Sequence, residues 1–122
     1  MSEALTTQLY LSAPENATAT KYSQEFSLAG EDAVELQLTV VHIVAPTVGD
    51  TVSYFTASIE IGNDGENWTD AGLTLGQIQD IGSFTLVVTG IAAQRARVKY
   101  FLDAAAGNSS AIVSTEVHQA ML

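Results

Sequence analysis

Hydrophobic and polar residues alternate with a period of two along most of this chain. The longest alternating run covers residues 33–44. Its first apolar positions are Val34, Leu36, Leu38 and Val40. Such alternation is typical of a β-strand with one buried face. After Val40 the apolar positions shift to Val41 and Ile43, so we expect a β-bulge or a bend near Val40 and Val41.

The same alternation recurs in shorter runs, which are separated by clusters of Gly, Asn, Asp and Pro. These runs predict strands at residues 8–12, 19–28, 51–61, 83–89, 95–102 and 111–117. In the second run, four side chains are expected to share one face: Tyr22, Gln24, Phe26 and Leu28. The Gly-Asn-Asp-Gly cluster at 62–65 predicts a tight hairpin turn, after which Trp68 begins a short return segment. Residues 73–80 fit a single helical turn.

About seven or eight strands at this spacing predict one all-β domain over residues 1–122. The expected architecture is an antiparallel β-sandwich, either a jelly roll or an immunoglobulin-like fold. In the strand at 95–102, the residues expected to point inward are Ala96, Val98, Tyr100 and Leu102. The terminal segments 1–7 and 119–122 are candidates for flexible arms, because chain ends are poorly held unless they dock.

The charge and the cysteine content exclude several classes of protein. The net charge is −10, from 4 basic and 14 acidic residues, so nucleic acid is not an expected partner. The absence of cysteine excludes disulfides, a thiolate nucleophile and cysteine-ligated zinc. The chain begins without the features of a secretion signal, and no stretch has the length of a membrane span. We therefore expect synthesis in the cytoplasm and no membrane partner.

Few residues are suited to catalysis or to metal binding. His42 and His118 are too few for a three-histidine zinc site, and neither His-Glu-x-x-His nor Gly-x-Ser-x-Gly is present. Oxygen-bearing side chains between residues 64 and 70 could gather around Ca²⁺, but their spacing does not fit the helical calcium-loop pattern. We expect no enzymatic activity, no catalytic residue, no metal and no cofactor.

The candidate interface residues are Arg95, Arg97, Lys99 and Trp68. The three basic residues alternate along one predicted strand, so they point to the same face. They either pair with carboxylates on neighbouring strands, such as Glu35 or Glu60, or contact an acidic partner surface. Trp68, the single tryptophan, either plugs the end of the sandwich, stacks on a sugar or anchors an interface.

Two segments of the chain resemble known modules. Residues 59–70 read Ile-Glu-Ile-Gly-Asn-Asp-Gly-Glu-Asn-Trp-Thr-Asp. This segment resembles the Ser-x-Asp-Gly-x-x-Trp strand and loop of discoidin-like β-sandwich modules and of small structural proteins of tailed bacteriophages, with Asn63 in place of serine. The Gly-Ile-Ala-Ala sequence at 90–93, with the strand that follows it, is similar to a second strand of those modules. The Met-Ser start, the lack of cysteine and the Ser, Thr, Ala and Gly content are similar to those of phage head-decoration, or cement, proteins.

The resemblance to decoration proteins implies a non-enzymatic virion structural protein that is made in the host cytoplasm. Such a protein would bind the coat lattice or another virion protein, as a homo-oligomer. One alternative is a carbohydrate-binding module, in which Trp68 and Tyr54 or Tyr100 serve as stacking platforms. Another alternative is a phage tail or head-completion component that forms a ring.

Overall fold

The computed structural model of the protein describes residues 2–28 and 33–120. Its strands in chain order are β1 (Ser2–Ala13), β2 (Thr18–Tyr22), β3 (Phe26–Ser27), β4 (Ala33–Val44), β5 (Thr47–Val48), β6 (Thr51–Val52), β7 (Tyr54–Gly62), β8 (Thr69–Ile78), β9 (Gly82–Val88), β10 (Arg95–Asp103) and β11 (Ser109–Ala120). Their pairings are antiparallel, which confirms the prediction of an all-β sandwich. Within these residues, no helix has the length and the apolar character that a membrane crossing requires.

Two sheets pack face to face around one core. The four-stranded sheet has the order β1-β11-β4-β9. The five-stranded sheet has the order β2-β10-β7-β8, and the short strand β3 pairs with β10 beside β2. Strands β5 and β6 form a separate small hairpin. This order places β10 inside the five-stranded sheet, with pairing partners on both sides.

Both ends of the described chain lie in the four-stranded sheet. Strand β1 pairs with β11, and Ser2 stands opposite Gln119. Of the two segments expected as flexible arms, 1–7 and 119–122, residues 2–7 belong to β1 and residues 119–120 belong to β11. The remaining positions of those segments, which are residues 1, 121 and 122, fall outside the described residues.

The alternation seen in the sequence directs one side of each long strand into the core. In β10 the inward residues are those predicted, and all are fully buried: Ala96, Val98, Tyr100 and Leu102. The Tyr100 hydroxyl donates a hydrogen bond to Thr115 Oγ1 on β11, with 2.9 Å between the oxygens. Burial raises the pKa of Tyr100 to about 12, so the hydroxyl keeps its proton at neutral pH. A polar contact between Tyr100 and Thr115 therefore joins the two sheets within an apolar core.

The predicted irregularity in β4 is confirmed as a β-bulge. Val40 stands opposite Val113, and His42 stands opposite the adjacent residue Ile112. Val41 is therefore the extra residue, and its side chain is 48% exposed. A bulge reverses which side of the strand faces the core, and this explains why the apolar pattern changes phase at Val41.

The prediction that residues 19–28 form one strand with a common face is wrong. The segment is divided into β2 and β3. Two of its four alternating side chains are exposed and two are buried: Tyr22 and Gln24 lie outside, whereas Phe26 and Leu28 lie inside. Ser23 lies at the break, where its N–H donates to the carbonyl of Val98 and its hydroxyl accepts from the N–H of Val98. Because Ser23 binds both backbone groups of one residue, the chain leaves the regular ladder and its phase shifts.

The predicted hairpin, with a return segment after the turn at 62–65, is confirmed by the pairing of β7 with β8, but the prediction of a helical turn at 73–80 is wrong. Most of this region belongs to β8, a strand of ten residues. Leu75 stands opposite Ala57 of β7, and Ile78 enters the core. Pairing with β7 and burial of Ile78 therefore override a weak local preference for helix.

The predicted strand at 51–61 is divided at Ser53 into β6 and β7. Ser53 is fully buried. Its N–H donates to the carbonyl of Pro46, and its hydroxyl accepts a hydrogen bond from the N–H of Ala106. These two bonds tie Ser53 to neighbouring loops, so the chain leaves the small hairpin before it enters the main sheet.

Candidate functional site

The side of the five-stranded sheet that faces away from the core is organised around β10. Because the even-numbered residues of β10 are buried, its odd-numbered residues point outward. These outward residues are Arg95, Arg97, Lys99, Phe101 and Asp103. Lys99 stands between Tyr22 of β2 and Ser58 of β7, and Phe101 stands between Thr20 and Thr56 on the same two strands. We call this surface the β10 face.

Arg97 is the best-connected side chain of the β10 face. Its Nε and Nη2 atoms each lie 2.8 Å from Glu60 Oε1, on the strand directly opposite. The side chains of Arg97 and Glu60 are only 22% and 13% exposed. This contact confirms, for Arg97, the prediction of cross-strand pairing with a carboxylate such as Glu60. The alternative partner, Glu35, lies in β4 of the other sheet, where it accepts a hydrogen bond from Gln37.

Two aromatic rings contact the same guanidinium group. The Arg97 Cζ atom lies over the Tyr22 ring, 3.8 Å from its centroid, and over the Trp68 ring, 4.3 Å from its centroid. The Tyr22 side chain is 47% exposed, and Trp68 is half-buried. Trp68 therefore lies against the β10 face and does not plug the end of the sandwich. Arg97 and Trp68 are thus brought together as a unit with Tyr22 and Glu60, neither of which was a predicted interface residue.

Trp68 has space on this face because residue 62 is a glycine. A Cβ atom on Gly62 would lie 3.4 Å from Trp68 Cε3 and 2.5 Å from the carbonyl oxygen of Asn67. The second distance is far too short for a real contact, so a side chain at residue 62 would displace the loop. Gly62 therefore permits the close approach of the loop that carries Trp68.

The loop before Trp68 is held by its own hydrogen bonds. Asp64 Oδ1 accepts from the N–H groups of Glu66 and Asn67, and Asp64 Oδ2 accepts from Asn67 Nδ2. These bonds stabilise the carboxylate and lower the pKa of Asp64 to about 2. Asn63 Oδ1 accepts from the N–H of Gln94, which links the loop to the chain just before β10. The loop residues considered for Ca²⁺ are thus engaged in a turn, and residues 2–28 and 33–120 contain no group of three or more His, Asp or Glu side chains that could hold a metal ion.

A shallow depression of about 250 Å³ continues along the β10 face beyond Arg97. It is lined by Thr56, Ser58, Asp70, Thr74, Lys99 and Phe101. The Phe101 ring packs against Tyr54, with 6.2 Å between the ring centroids. An aromatic ring surrounded by hydroxyl, carboxylate and ammonium groups can contact the C–H groups and the hydroxyls of a ligand at the same time.

The aromatic residues proposed as sugar platforms from the sequence divide into two groups. Tyr100 is fully buried, so the prediction that it stacks on a ligand is wrong. Tyr54 is half-buried beside Phe101. Tyr22 was not predicted as a site residue, because residues 19–28 were expected to be one strand with Tyr22 on the same face as Phe26 and Leu28. The phase change at Ser23 depends on its contact with β10, for which the local sequence gives no signal.

The remaining basic residues lie on the same sheet. Arg95 forms an ion pair with Glu25. Lys21 of β2 donates to the carbonyl of Tyr10 at 2.7 Å. Together with Arg97 and Lys99, these residues account for all lysines and arginines of the chain. The five-stranded sheet therefore carries all four, and the strands of the four-stranded sheet carry none.

Comparison with known proteins identifies the fold. No protein-family model matches the chain, and no curated protein matches it in sequence. Among solved structures, the carbohydrate-binding module CBM4 is 15% identical with a TM-score of 0.55, over 92% of this chain and 70% of that one. TmCBM61, solved in complex with beta-1,4-galactotriose, is 10% identical with a TM-score of 0.51, over 90% of this chain and 70% of that one.

One part of a phage protein has a similar fold. Tailspike protein 4 of bacteriophage CBA120 is 14% identical with a TM-score of 0.56, over 91% of this chain and 17% of that one. At identities this low, the similarity of all three structures concerns the arrangement of the strands. The chain has the β-sandwich fold that is found in carbohydrate-binding modules and in this tailspike protein.

Proposed function

We propose that the protein is a non-catalytic carbohydrate-binding module and that its ligand lies on the β10 face. The observation that carries this proposal is the gathering of partly exposed aromatic rings and polar side chains on one face of one sheet. Tyr22 and Trp68 lie at one end of the face, and Phe101 lies in the depression at the other. The two parts are joined by Lys99, which is next to Tyr22 and also lines the depression.

The chemistry of this face suits a sugar. Aromatic rings remove the apolar C–H faces of a pyranose from water, and nearby polar side chains bond to its hydroxyls. Thr56 and Thr74 offer hydroxyl groups, whereas Lys99 offers a cationic donor. This mixture of rings and short polar side chains favours a flat, hydroxyl-rich ligand over an extended apolar one.

The outer surface of the four-stranded sheet provides a useful contrast. Many of the side chains on this surface are serines, threonines and glutamines; for example, Thr39 stands opposite Ser114. Tyr10 on β1 is 52% exposed, close to the 47% of Tyr22, and it is not stacked on a guanidinium group. The two tyrosines are therefore matched in exposure but differ in surroundings, and Tyr10 serves as a control for Tyr22.

The test is a glycan array followed by calorimetry on the glycans that bind. Wild-type protein should bind at least one oligosaccharide, and Tyr22→Ala should lower the affinity about tenfold or more, as expected for an aromatic residue that contacts the ligand. Tyr10→Ala should leave the affinity within about twofold. The proposal fails if no glycan binds, or if the Tyr10 and Tyr22 variants lose affinity equally.

A second candidate is a virion structural protein, which would bind a capsid or another virion protein as a homo-oligomer. The observation that favours it is a depression of about 410 Å³ on the other sheet, which Tyr10 and Val44 line with side chains 52% and 45% exposed. The fold similarity to a phage tailspike protein agrees with this candidate.

Sedimentation with undecorated capsids tests the second candidate directly. Binding at micromolar concentration that is lost in Tyr10→Ala, and kept in Tyr22→Ala, would support it. Light scattering separates its forms, because a trimer agrees with capsid decoration, a larger ring agrees with a tail or head-completion part, and a monomer agrees with a binding module. Absence from the capsid pellet would remove the decoration hypothesis.

A further inference from the structure

We propose that Glu60 and Arg97 are positioning residues that hold Tyr22 and Trp68 together as a single platform for the ligand. This inference rests on the proposed carbohydrate-binding function in its last step only. The arrangement of the rings themselves can be tested without any ligand. In this arrangement the Glu60–Arg97 pair determines the distance and the tilt between two rings that come from different parts of the chain.

The four side chains come from four separate elements. Tyr22 ends β2, Glu60 lies in β7, Arg97 lies in β10, and Trp68 belongs to the loop before β8. Tyr22 and Trp68 reach Arg97 from the two edges of β10, because β2 flanks one edge, and β7, which leads into the loop of Trp68, flanks the other. The guanidinium group is therefore the shared contact that brings rings from two edges of β10 together.

Glu60 fixes where the guanidinium group lies. Both Nε and Nη2 of Arg97 are 2.8 Å from the same carboxylate oxygen, so the group is held at two of its nitrogens. The pair is mostly shielded from water, which strengthens the contact relative to a fully exposed ion pair. A guanidinium group held in this way presents a flat surface to the rings, at 3.8 Å from the Tyr22 centroid and 4.3 Å from the Trp68 centroid.

The shape of arginine matters here as well as its charge. A guanidinium group is planar and can stack on aromatic rings, whereas a lysine ammonium is a compact, strongly hydrated charge. A lysine at residue 97 would keep the positive charge but would lose the flat contact with two rings. Arg97→Lys therefore separates the positioning role from a simple electrostatic one.

The positions of the rings constrain the ligand. Each ring has one face toward Arg97, so a sugar must use the remaining ring surface. The two centroids cannot be further apart than the sum of their distances to Arg97 Cζ, so both rings lie within reach of a ligand of one or two sugar units. A platform that is already assembled avoids ordering two side chains when the ligand binds, and this increases affinity.

The first experiment uses the protein without ligand. Trp68 is the only tryptophan, so the intrinsic tryptophan emission reports on this one ring. We expect a red shift of the emission in Arg97→Ala, a shift of similar size in Arg97→Lys and a smaller one in Glu60→Gln. Arg95→Ala is the matched control, because it removes a guanidinium group and an ion pair from the same strand, and the described contacts of Arg95 are with Glu25 and not with a ring. Far-ultraviolet circular dichroism of each variant verifies that the sandwich is folded.

The second experiment measures affinity for a glycan found with the wild-type protein. Arg97→Lys should weaken binding about tenfold, which is comparable to the loss of one ring. Wild-type emission and wild-type affinity in Arg97→Lys would overturn the proposal, and unchanged emission in Glu60→Gln would overturn the role of Glu60. If no glycan binds to the wild-type protein, the carbohydrate-binding function fails, but the emission of the unliganded variants still decides whether Arg97 holds the rings.

Discussion

The two sides of β10 are made from alternate residues of one strand, and they differ in how they are built. On the inner side, Ala96, Val98, Tyr100 and Leu102 are fully buried among apolar neighbours. On the outer side, Arg97 makes specific contacts with three partners from three other elements. The inner side needs only apolar volume in the right places, whereas the outer side needs particular residues in register with each other.

This difference predicts that inner substitutions will alter stability and that outer substitutions will mainly alter binding. Leu102→Ala should lower the free energy of unfolding by about 2–5 kcal/mol, because it leaves a cavity at a fully buried position. Lys99→Ala, three residues away on the outer side, should change it by no more than about 0.5 kcal/mol. Urea denaturation measures both values. Equal losses in the two variants would contradict the division between the two sides.

Gly62 allows a sharper test, because it affects the outer side through the backbone. Gly62→Ala should destabilise the protein by about 1–3 kcal/mol, since the new Cβ would lie 2.5 Å from the carbonyl oxygen of Asn67. It should also alter the Trp68 emission. Gly76→Ala in β8 is the matched control, because nothing lies within 4 Å of its Cβ position. That control should stay within about 0.5 kcal/mol of the wild-type protein. If Gly62→Ala lost no more stability than Gly76→Ala, the loop would have adapted freely to the new Cβ atom.

The hydrogen bond between Tyr100 and Thr115 should have a smaller effect. Tyr100→Phe removes the donor to Thr115 and should lower the free energy of unfolding by about 1 kcal/mol. Thr115→Val tests the same bond from its other end, and the double variant completes a mutant cycle. We expect a coupling energy of about 1 kcal/mol between the two positions. Additive losses would mean that the hydroxyl groups contribute independently.

The smallest expected effect concerns the exposed turn that precedes Trp68. The folded pKa of Asp64, about 2, is below its ordinary value of 3.8, so its stabilising contribution is present above pH 4 and is lost as the pH falls towards 2. Asp64→Asn keeps a side-chain oxygen that accepts hydrogen bonds but has no charge to titrate. Its stability should therefore depend less on pH in this range, as measured by thermal unfolding at a series of pH values. An identical acid profile in both proteins would exclude this role of Asp64.

Much of the fold could be predicted from the alternation of apolar and polar residues within each strand. The inward residues of β10 and the bulge at Val41 follow from local alternation, because an apolar position that is buried in a sheet is recognisable within its own strand. The strand β8 was missed, since its stability comes from pairing with β7 and from burial of Ile78. Local propensity carries little information about such contacts.

The candidate site could be predicted only in part, for a related reason. The outward position of Arg97 follows from alternation, but the choice between Glu35 and Glu60 depends on which strands are neighbours. The contribution of Tyr22 depends on a phase change at Ser23, which is produced by a hydrogen bond to a residue 75 positions away. Both the partner of Arg97 and the outward position of Tyr22 are determined by the register between strands. The sequence of one strand does not show which strand it will pair with.

The placement of all four lysines and arginines on the five-stranded sheet has a consequence for how the molecule approaches other objects. The four cations are matched by Glu25, Glu60, Asp70 and Asp103, which lie on or beside the same sheet, so this face has no excess of positive charge. With a net charge of −10, the whole molecule is repelled by an anionic wall over a Debye length of about 8 Å at physiological salt, and added salt weakens this repulsion. A neutral glycan meets no such barrier, so its affinity for the rings should change little with salt.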